Sequence, residues 1–550
     1  MNFSCSFFYR LSLVWFGRMK DFIIRGPKSS YKPIPKGYAE YFFDIAEEFK
    51  DNILQIDGTT DESETYGQVK ARSIKVALAI KKLGLKPKDV VLLCCKNDLN
   101  NIIPVLGTLY LGGYVSSAHP KQSLDDVKYF LGLVQPKLLF VDQDSVGLVE
   151  KAMELCGMKA TIVVVGNSDK YPTMRSMESR FYEEEKSFSP IKQKGNDIAF
   201  ILFTSGTTSS PKGIYISNRS ALEGGRLIIE NGYTKPGVLM NFTSFYWVST
   251  LLVTSKCFLT GSTRILGNSI SAEKYLNLVE KYKITYTFMS NSFTYGISSL
   301  GPDIIKKYDT SSLYSVLVGG ATVNPAQILK LREVLPYTKV AMGYGSTETS
   351  FISCFDFQSR EAYESKLESS GKLLADVELK IVDVDTGKLL GPNQEGEIRL
   401  KTPYLMCGYH NLDKTDSFDE DGFLKMSDLG YYDIDHYIYV TDRIKEMFKY
   451  QGNQVSPSTI ENSLLSHPSV EEAVVFGVPH RIDNNHPAAL VVVKPGQRLE
   501  AKELIDFTDL RLADTHRLRG GVIIVNSIPK TPTGKAQRRS LKEMFGKKAR

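Results

Sequence analysis

Short apolar runs that alternate with helix-like segments constrain the fold of this 550-residue chain most strongly. Between residues 65 and 213, four such runs have the length and the β-branched composition of buried strands. The segment before the first run carries apolar residues at helical spacing, and Gly84 can end that helix. Strands separated by helices predict layered α/β units with parallel sheets. The four runs are Val90 to Leu93, Leu138 to Val141, Thr161 to Val165 and Ala199 to Phe203, and the predicted helix face consists of Val69, Val76, Ile80 and Leu83.

The second half of the chain has a different pattern. From Gly371 onward, short β-like segments alternate with turn signals, and from Glu446 onward strand and helix patterns are mixed. A chain of this length is too long for one core. We therefore predict a mixed α/β protein, in which a large N-terminal domain of layered α/β subdomains and a β-rich subdomain precedes a small, mobile α+β domain. The predicted boundaries are 1–20 for an N-terminal extension, 21–444 for the large domain and 445–550 for the small one.

Composition and charge exclude several classes of function. The chain is 42% hydrophobic and 24% charged, with a formal net charge of +6, as expected for a globular protein. Its basic residues are scattered except at the C-terminus, so nucleic-acid binding is not indicated. The seven cysteines show no CxxC spacing, which favours a reducing compartment and predicts neither a disulfide framework nor a zinc site. The seven histidines likewise show no metal-ligand spacing.

The two termini bear on the compartment. Residues 1–18 are rich in apolar residues but are interrupted by Arg10, and they are too short to span a bilayer. We expect an upstream extension with Met19 as the working start; a poor signal sequence and a membrane-surface helix are the alternatives. The C-terminal Lys548-Ala549-Arg550 is not a peroxisomal address of the Ser-Lys-Leu type. Cytosol and peroxisome both stay open.

A loop rich in glycine and hydroxyl residues follows the fourth apolar run. It reads Phe203-Thr204-Ser205-Gly206-Thr207-Thr208-Ser209-Ser210-Pro211-Lys212-Gly213. Such a loop offers backbone N–H groups, hydroxyl donors and one ammonium, a combination that suits a polyphosphate. It is not a Walker A loop, because Pro211 stands where that motif needs a glycine. An ordinary Ser/Thr-rich turn is the alternative.

Two later segments carry groups suited to a nucleotide. Gly343-Tyr344-Gly345-Ser346-Thr347-Glu348 places an aromatic ring between two glycines and ends in a carboxylate. The ring is suited to stack on a purine, and Glu348 is suited to hold a hard cation, which prefers oxygen ligands. Further on, Asp428 can accept hydrogen bonds from both hydroxyls of a ribose, and Arg443 can donate to the same sugar. Taken separately, a glycine-rich turn with a packed tyrosine and a surface turn or ion pair explain these residues better.

Three lysines near the C-terminus complete the set. Lys445 and Lys449 lie in a short polar stretch that is suited to be a hinge, and Lys535 ends the stiff turn that begins at Pro529. Each of them, considered alone, is an ordinary solvated charge.

Together, in this order and at these separations, the segments resemble the adenylate-forming superfamily of acyl-CoA synthetases, plant coumarate ligases and firefly luciferases. The resemblance extends from about Asp21 to Leu541 and is strongest to the luciferase-like acyl-CoA synthetases of animals. It implies that a carboxylate attacks the α-phosphate of Mg-ATP to give an acyl-adenylate and pyrophosphate. The small domain then rotates, and the thiol of CoA attacks the acyl-adenylate and releases AMP. The cofactors and co-substrates implied are therefore ATP, Mg²⁺ and CoA.

The resemblance also implies a role for each matching residue. The large domain would be the AMP-binding domain, Lys535 would serve the first step only, Lys445 would be the hinge, and Lys449 would enter the site for the second step. Thr347 would contact the α-phosphate, and Glu348 would bind magnesium. The ATP-binding set would be Thr204, Ser205, Gly206, Thr207, Thr208, Lys212, Gly319, Gly320, Ala321, Gly343, Tyr344, Gly345, Asp428 and Arg443.

Three departures from the family pattern concern the loop and the acyl substrate. Ser209 stands where most members have glycine. Tyr246 and Trp247 align with the run beside the acyl pocket, and Trp247 replaces a histidine. Gly224 stands where luciferases have an arginine for luciferin, so light emission is not expected. We predict an acyl-CoA synthetase for a medium- or long-chain fatty acid, with no nucleic-acid partner. A luciferase-like monooxygenase and an inactive nucleotide-binding relative are the alternatives.

Overall fold

The computed structural model describes residues 22–180, 182–204, 211–230, 236–268, 270–320, 325–355, 360–411, 417–451, 453–530, 536, 538 and 541. Several predicted functional residues lie outside this part of the chain. They are Ser205, Gly206, Thr207, Thr208, Ser209, Ala321 and Lys535, together with the predicted N-terminal extension.

Strands occur along the whole length of the described chain. In chain order they are β1 (Ile24–Arg25), β2 (Ile53–Asp57), β3 (Ser63–Thr65), β4 (Val90–Cys94), β5 (Tyr114–Ser117), β6 (Leu138–Asp142), β7 (Thr161–Val165), β8 (Ile198–Phe203), β9 (Gly213–Ser217), β10 (Val238–Asn241), β11 (Thr263–Leu266), β12 (Tyr286–Ser290), β13 (Ser315–Gly319), β14 (Lys339–Ser346), β15 (Ser350–Cys354), β16 (Lys372–Leu373), β17 (Glu378–Val382), β18 (Leu389–Leu390), β19 (Gly396–Lys401), β20 (Gly408–Tyr409), β21 (Leu424–Tyr432), β22 (Ile438–Arg443), β23 (Phe448–Tyr450), β24 (Asn453–Val455), β25 (Val470–His480), β26 (Asn484–Val493) and β27 (Gly521–Ile524).

The helices fall mainly between strands of the first half. In chain order they are α1 (Tyr38–Glu48), α2 (Tyr66–Lys82), α3 (Ile102–Tyr110), α4 (Leu124–Val134), α5 (Val146–Leu155), α6 (Met174–Glu178), α7 (Asn218–Glu230), α8 (Val248–Thr260), α9 (Ala272–Tyr282), α10 (Asn291–Ser298), α11 (Pro302–Ile305), α12 (Pro325–Val334), α13 (Arg360–Ser365), α14 (Pro457–Leu465) and α15 (Ala501–Asp509). Within the described residues, no helix is both long enough and apolar enough to cross a membrane.

Two largely parallel sheets form the layered α/β part of the molecule. One has the strand order β20-β9-β8-β5-β4-β6-β7, and the other has the order β16-β15-β14-β13-β12-β10-β11-β2-β3. The inner strands of both sheets pair in parallel, while antiparallel strands close the edges that carry the candidate site. The predicted α/β class and parallel pairing are confirmed.

Two smaller sheets follow in the second half. The β-rich subdomain has the order β1-β17-β19-β21-β22, with β18 paired to β17. The C-terminal sheet has the order β24-β23-β26-β25, with β27 paired to β26, and α14 and α15 pack with it. The large N-terminal part and the small α+β C-terminal part are therefore as predicted. The boundaries at 444 and 445 stay predictions.

The helix α2, which precedes β4, shows why the sequence pattern predicted a buried helix face. Thr65 begins α2 by accepting a hydrogen bond from the backbone N–H of Gln68, and the Gln68 side chain accepts one from the N–H of Thr65, as in a capping box. Val69, Val76 and Ile80 are fully buried, as predicted. Gly84 follows the helix with φ of +85°, a conformation that glycine adopts without strain.

Two details of the predicted pattern are wrong. Leu83 does not belong to the buried face, because it lies at the end of the helix and is 42% exposed. The polar, charged stretch 166–197 reads in the sequence as a loop or linker, and the structure corrects this. The stretch contains the short helix α6, which Met174 and Met177 anchor in the core.

Candidate active site

The hairpin of β14 and β15 carries the glycine-rich segment. β14 runs parallel to β13 as far as Met342 and then pairs antiparallel with β15. A Cβ on Gly343 would lie 2.7 Å from the ring of Phe351, and one on Gly345 would lie 2.3 Å from the carbonyl oxygen of Ser350. Glycine is required at both positions because the two strands approach too closely for a side chain. Thr347 and Glu348 lie in the turn between the strands.

Tyr344 and Asp428 are joined by a buried hydrogen bond. The Tyr344 hydroxyl donates to Oδ2 of Asp428 over 2.6 Å, and both residues are at least nine-tenths buried. Burial, followed by the adjacent Asp428 carboxylate, raises the pKa of Tyr344 well above its ordinary value. The phenol therefore stays protonated and keeps its bond to the carboxylate. We expect this bond to fix the ring of Tyr344 beside the Asp428 carboxylate rather than leave the ring free to move.

The other oxygen of Asp428 faces Arg443. Asp428 on β21 is the direct antiparallel partner of Arg443 on β22, and Nε of Arg443 lies 3.2 Å from Oδ1. Although burial opposes it, the Asp428 carboxylate raises the pKa of Arg443. Register thus brings together the two residues that the resemblance assigns to the ribose. The sequence left open whether they meet, and the structure places them in one ion pair.

Tyr409, which the sequence analysis did not single out, lies beside Lys212 and within the electrostatic influence of Glu348. Nζ of Lys212 lies 4.7 Å from the centroid of the Tyr409 ring. Burial raises the pKa of Tyr409 to about 12, and the charge of Glu348 adds to this shift. β20 holds Tyr409 in place by pairing with β9, the strand that begins directly after Lys212. Lys212 therefore contacts the Tyr409 ring, and the charge of Glu348 reaches the same ring.

Local contacts hold both sides of this arrangement. The backbone N–H of Lys212 donates to Oγ1 of Thr204 over 3.0 Å, and this bond joins the two ends of the glycine- and hydroxyl-rich loop. The carbonyl of Glu348 accepts from the N–H of Met406 over 2.7 Å, which ties the turn to the segment leading to β20. The Glu348 carboxylate also contributes to the raised pKa values of Tyr344 and Arg443.

The end of β13 reaches the same region. A Cβ on Gly319 would lie 3.1 Å from the carbonyl oxygen of Gly343 and 3.3 Å from the ring of Phe288. Gly320 has φ of +88°, and no atom of the described residues lies within 4 Å of where its side chain would begin. Gly319 thus allows the close approach of β13 to the hairpin, and Gly320 adds no side chain beside it.

The residues predicted to line the acyl pocket pack against the first sheet. Tyr246 is only 7% exposed, and burial raises its pKa to about 12. Its ring makes edge contacts with Trp247, at 5.3 Å between centroids, and with His119, at 6.2 Å. Trp247 is half-buried and immediately precedes α8. Their role in the pocket stays a prediction.

Gly224 lies on α7, and the side chains of Leu252 and Ser350 pack closely against it. A Cβ there would be 2.3 Å from Cδ2 of Leu252 and 2.7 Å from Oγ of Ser350. Any side chain at this position must displace both residues, and an arginine would need far more room. Leu252 and Ser350 thus occupy the space that a long side chain at position 224 would require.

The predicted C-terminal lysines are only partly described. Lys445 and Lys449 are exposed, and the carbonyl of Lys449 accepts from Nδ2 of Asn485 over 3.0 Å. Their hinge and second-step roles stay predictions, as does the role of Lys535. Three residues beyond Lys535, Arg538 forms ion pairs with Glu446 and, over 2.6 Å, with Glu461. No sequence pattern indicated this anchor, because its partners are far away along the chain.

Comparisons with known proteins agree with the fold. Residues 42–410 match the AMP-binding enzyme family, and residues 459–535 match the AMP-binding enzyme C-terminal domain. The chain belongs to the AMP-binding enzyme family, in the adenylate-forming superfamily that includes acyl- and aryl-CoA ligases and luciferases. Nucleotide binding is a property of this family.

Individual relatives come from both branches of the superfamily. Luciferin 4-monooxygenase of Luciola mingrelica is 30% identical over 86% of this chain and 88% of its own length. 4-Coumarate–CoA ligase-like 2 of Arabidopsis thaliana is 30% identical over 89% and 87%, respectively. Among solved structures, the luciferase-like enzyme of the nonluminescent Zophobas morio mealworm is 38% identical, with a TM-score of 0.74 over 78% of this chain and 100% of its own.

Proposed function

We propose that this protein is an AMP-forming acid–thiol ligase that activates a medium- or long-chain fatty acid with Mg-ATP and transfers the acyl group to CoA. The contacts that join Tyr344, Asp428 and Arg443, on which the charge of Glu348 acts, are the observation that supports it most. They combine an acceptor for ribose hydroxyls with a carboxylate for a metal. Lys212, a cation for phosphates, lies against the ring of Tyr409, which the charge of Glu348 also affects.

The first step needs positioning and charge stabilisation more than covalent chemistry. A carboxylate oxygen of the substrate forms a bond to the α-phosphorus, and the bond to the bridging oxygen of pyrophosphate breaks. In the proposal, Lys212 and the hydroxyls of the phosphate loop hold the leaving pyrophosphate. Asp428 and Arg443 hold the ribose, so the α-phosphorus is presented at a fixed distance from them.

Magnesium fits the proposed site through Glu348. The negative charge of this carboxylate acts on Tyr344 and Tyr409, and hard cations prefer such oxygen ligands. When bound with ATP, the ion would neutralise phosphate charge. The residues of the chain do the rest: Tyr344 orients Asp428, and the loop 203–213 confines the nucleotide.

The second step transfers the acyl group. The sulfur of CoA gives up its proton and bonds to the acyl carbon, the bond from that carbon to the phosphate oxygen of AMP breaks, and AMP leaves. Lys449 is the residue proposed to enter the site for this step, and Lys535 is proposed to leave it. The compartment, whether cytosol or peroxisome, stays a prediction.

A luciferin monooxygenase is the competing proposal, because luciferases are among the relatives. The packing at Gly224 argues against it, since Leu252 and Ser350 fill the space that the arginine of luciferases would need.

Thioester formation tests the proposal directly. Purified protein is incubated with ATP, Mg²⁺, CoA and one acid at a time from a panel of fatty and aromatic acids, and acyl-CoA is measured by mass spectrometry. We expect product with fatty acids of medium or long chain. Light from luciferin and ATP without any acyl-CoA product would reject the ligase in favour of the monooxygenase.

A further inference from the structure

A cluster of two histidines and one aspartate lies at the tip of the hairpin formed by β25 and β26. His480 ends β25, Asp483 lies in the turn, and His486 lies near the start of β26. One ligand atom from each side chain lies within 4.8 Å of the other two. The sequence analysis missed this cluster, because the spacing of the histidines resembles no common ligand motif and only the hairpin brings them face to face.

The geometry converges on one carboxylate oxygen. Oδ2 of Asp483 lies 3.1 Å from Nδ1 of His480 and 2.8 Å from Nε2 of His486. The two imidazole rings are stacked, with centroids 3.8 Å apart and planes within 17°. Ligand atoms around a tetrahedral ion with bonds of about 2.1 Å are roughly 3.4 Å apart, which is close to the spacing of these three atoms. One of the two rings must turn out of the stack to bind, because a metal lies in the plane of each imidazole that coordinates it.

The turn that follows β23 holds the carboxylate in this orientation. Nε2 of Gln451 donates to Oδ1 of Asp483 over 2.8 Å, and the N–H of Gln451 donates to the Asp483 carbonyl over 2.9 Å. Because Oδ1 is occupied, Oδ2 is the oxygen that points between the two rings. An outer hydrogen bond of this kind is what orients carboxylate ligands at metal centres.

We propose that His480, Asp483 and His486 form a binding site for a divalent transition metal, with Zn²⁺ as the best fit. Imidazole nitrogens select zinc and its neighbours over magnesium or calcium, which prefer oxygen ligands. Three protein ligands leave a further position for water or another group. The side chains are 39%, 16% and 22% exposed, respectively, so an ion from solvent can reach them.

Two local contacts compete with the metal. Nε2 of His486 and Oδ2 of Asp483 share a hydrogen bond over 2.8 Å, which a metal would replace with a bond to each atom. Nδ1 of His480 accepts a hydrogen bond from the backbone N–H of Asp483 over 3.2 Å. This is at the long limit for such a bond, so binding of a metal at the same nitrogen gives up little. The site is independent of the proposed catalytic magnesium, because it lies in the C-terminal sheet and Glu348 lies in the large domain.

Zinc binding by untagged, full-length protein tests the proposal. Zn²⁺ is titrated in competition with a chromophoric chelator, without nucleotide, and Co²⁺ absorption reports whether imidazole coordinates the ion. We expect one Zn²⁺ per chain, an affinity at least tenfold lower in His486→Gln and Asp483→Asn, and about tenfold lower in Gln451→Ala. His516→Gln removes a histidine of the same domain outside the cluster and should bind as the wild type does.

Two results would overturn the site. One is wild-type protein that binds no Zn²⁺, and the other is Zn²⁺ binding that the double variant Asp483→Asn/His486→Gln leaves unchanged. Asp483→Asn keeps the size and hydrogen-bonding shape of the side chain, and melting curves without metal show whether each variant is folded. A rise in Tm on adding Zn²⁺ to the wild type, absent in the double variant, would support the proposal by a second measurement.

Discussion

At the scale of single residues, the proposed mechanism depends on lysines that serve different steps. If Lys535 acts in adenylation only, Lys535→Ala should lose acyl-adenylate formation by about 10²-fold or more, the scale of one preorganised electrostatic contact. Thioester formation from a supplied acyl-adenylate should remain. Lys449→Ala should show the reverse pattern. The measurement is the rate of each half-reaction separately, and equal loss of both in the Lys535 variant would contradict the assignment.

A buried carboxyl outside the site makes stability depend on pH. Asp142, at the end of β6, is 5% exposed, and burial raises its pKa to about 7. The pKa in the unfolded chain is about 3.9, so between pH 4 and 7 the folded state holds a proton that the unfolded state has lost. The contribution of this carboxyl to the free energy of unfolding therefore falls as pH rises through that window, by on the order of 4 kcal/mol in total.

The substitution Asp142→Asn should remove the pH dependence that this carboxyl gives to the free energy of unfolding. The amide oxygen can still accept the hydrogen bond that the N–H of Lys96 makes to Asp142 over 2.6 Å. Relative to wild type, we expect the free energy of unfolding of the variant to rise between pH 4 and pH 8, as measured by denaturant titration at each pH. Asp144→Asn, at an exposed neighbour, is the control. Parallel stability curves for Asp142→Asn and wild type would show that the carboxyl titrates normally.

At the scale of elements, the close contact between α7 and α8 depends on Gly225. A Cβ there would lie 2.5 Å from the backbone nitrogen of Lys256 and 2.6 Å from the carbonyl carbon of Ser255. Backbone atoms cannot move aside as a side chain can, so Gly225→Ala should destabilise the protein by about 1–3 kcal/mol. Thermal melting measures the effect.

Gly132 provides the matched control for that substitution. It lies on the exposed face of α4, and a Cβ added there would have no neighbouring atom within 4 Å among the described residues. Gly132→Ala should therefore stabilise the helix by about 0.5–1 kcal/mol. If both alanine variants melt alike, the helix contact at Gly225 does not limit stability.

The elements also show what a sequence can and cannot predict here. The strand β7 was predicted at its observed ends, because a β-branched run between turns has few other stable conformations. Leu83 was misplaced because periodicity does not reveal where a helix face leaves the core. The Tyr344–Asp428 bond, between residues 84 positions apart, was beyond prediction from spacing, since it depends on how two sheets meet. Tyr409 was missed for the same reason.

At the scale of the whole molecule, the large domain carries the described part of the proposed nucleotide site, and the C-terminal sheet carries Lys449. Arg538 ties the segment after Lys535 to Glu461 on α14, and its Nε donates to the carbonyl of Val475 over 3.2 Å. The segment is thus anchored to the C-terminal sheet. We expect Lys535 to move with that sheet as one unit when the domain turns.

Carboxylate-dependent exchange between ATP and pyrophosphate tests the central claim most directly. It follows the adenylating half-reaction alone, without CoA, and so does not depend on Lys449 or on the second step. We predict exchange that requires Mg²⁺ and a fatty acid, and that falls by about 10²-fold in Lys212→Ala. ATP binding without exchange for any acid of a fatty and aromatic panel would contradict the account.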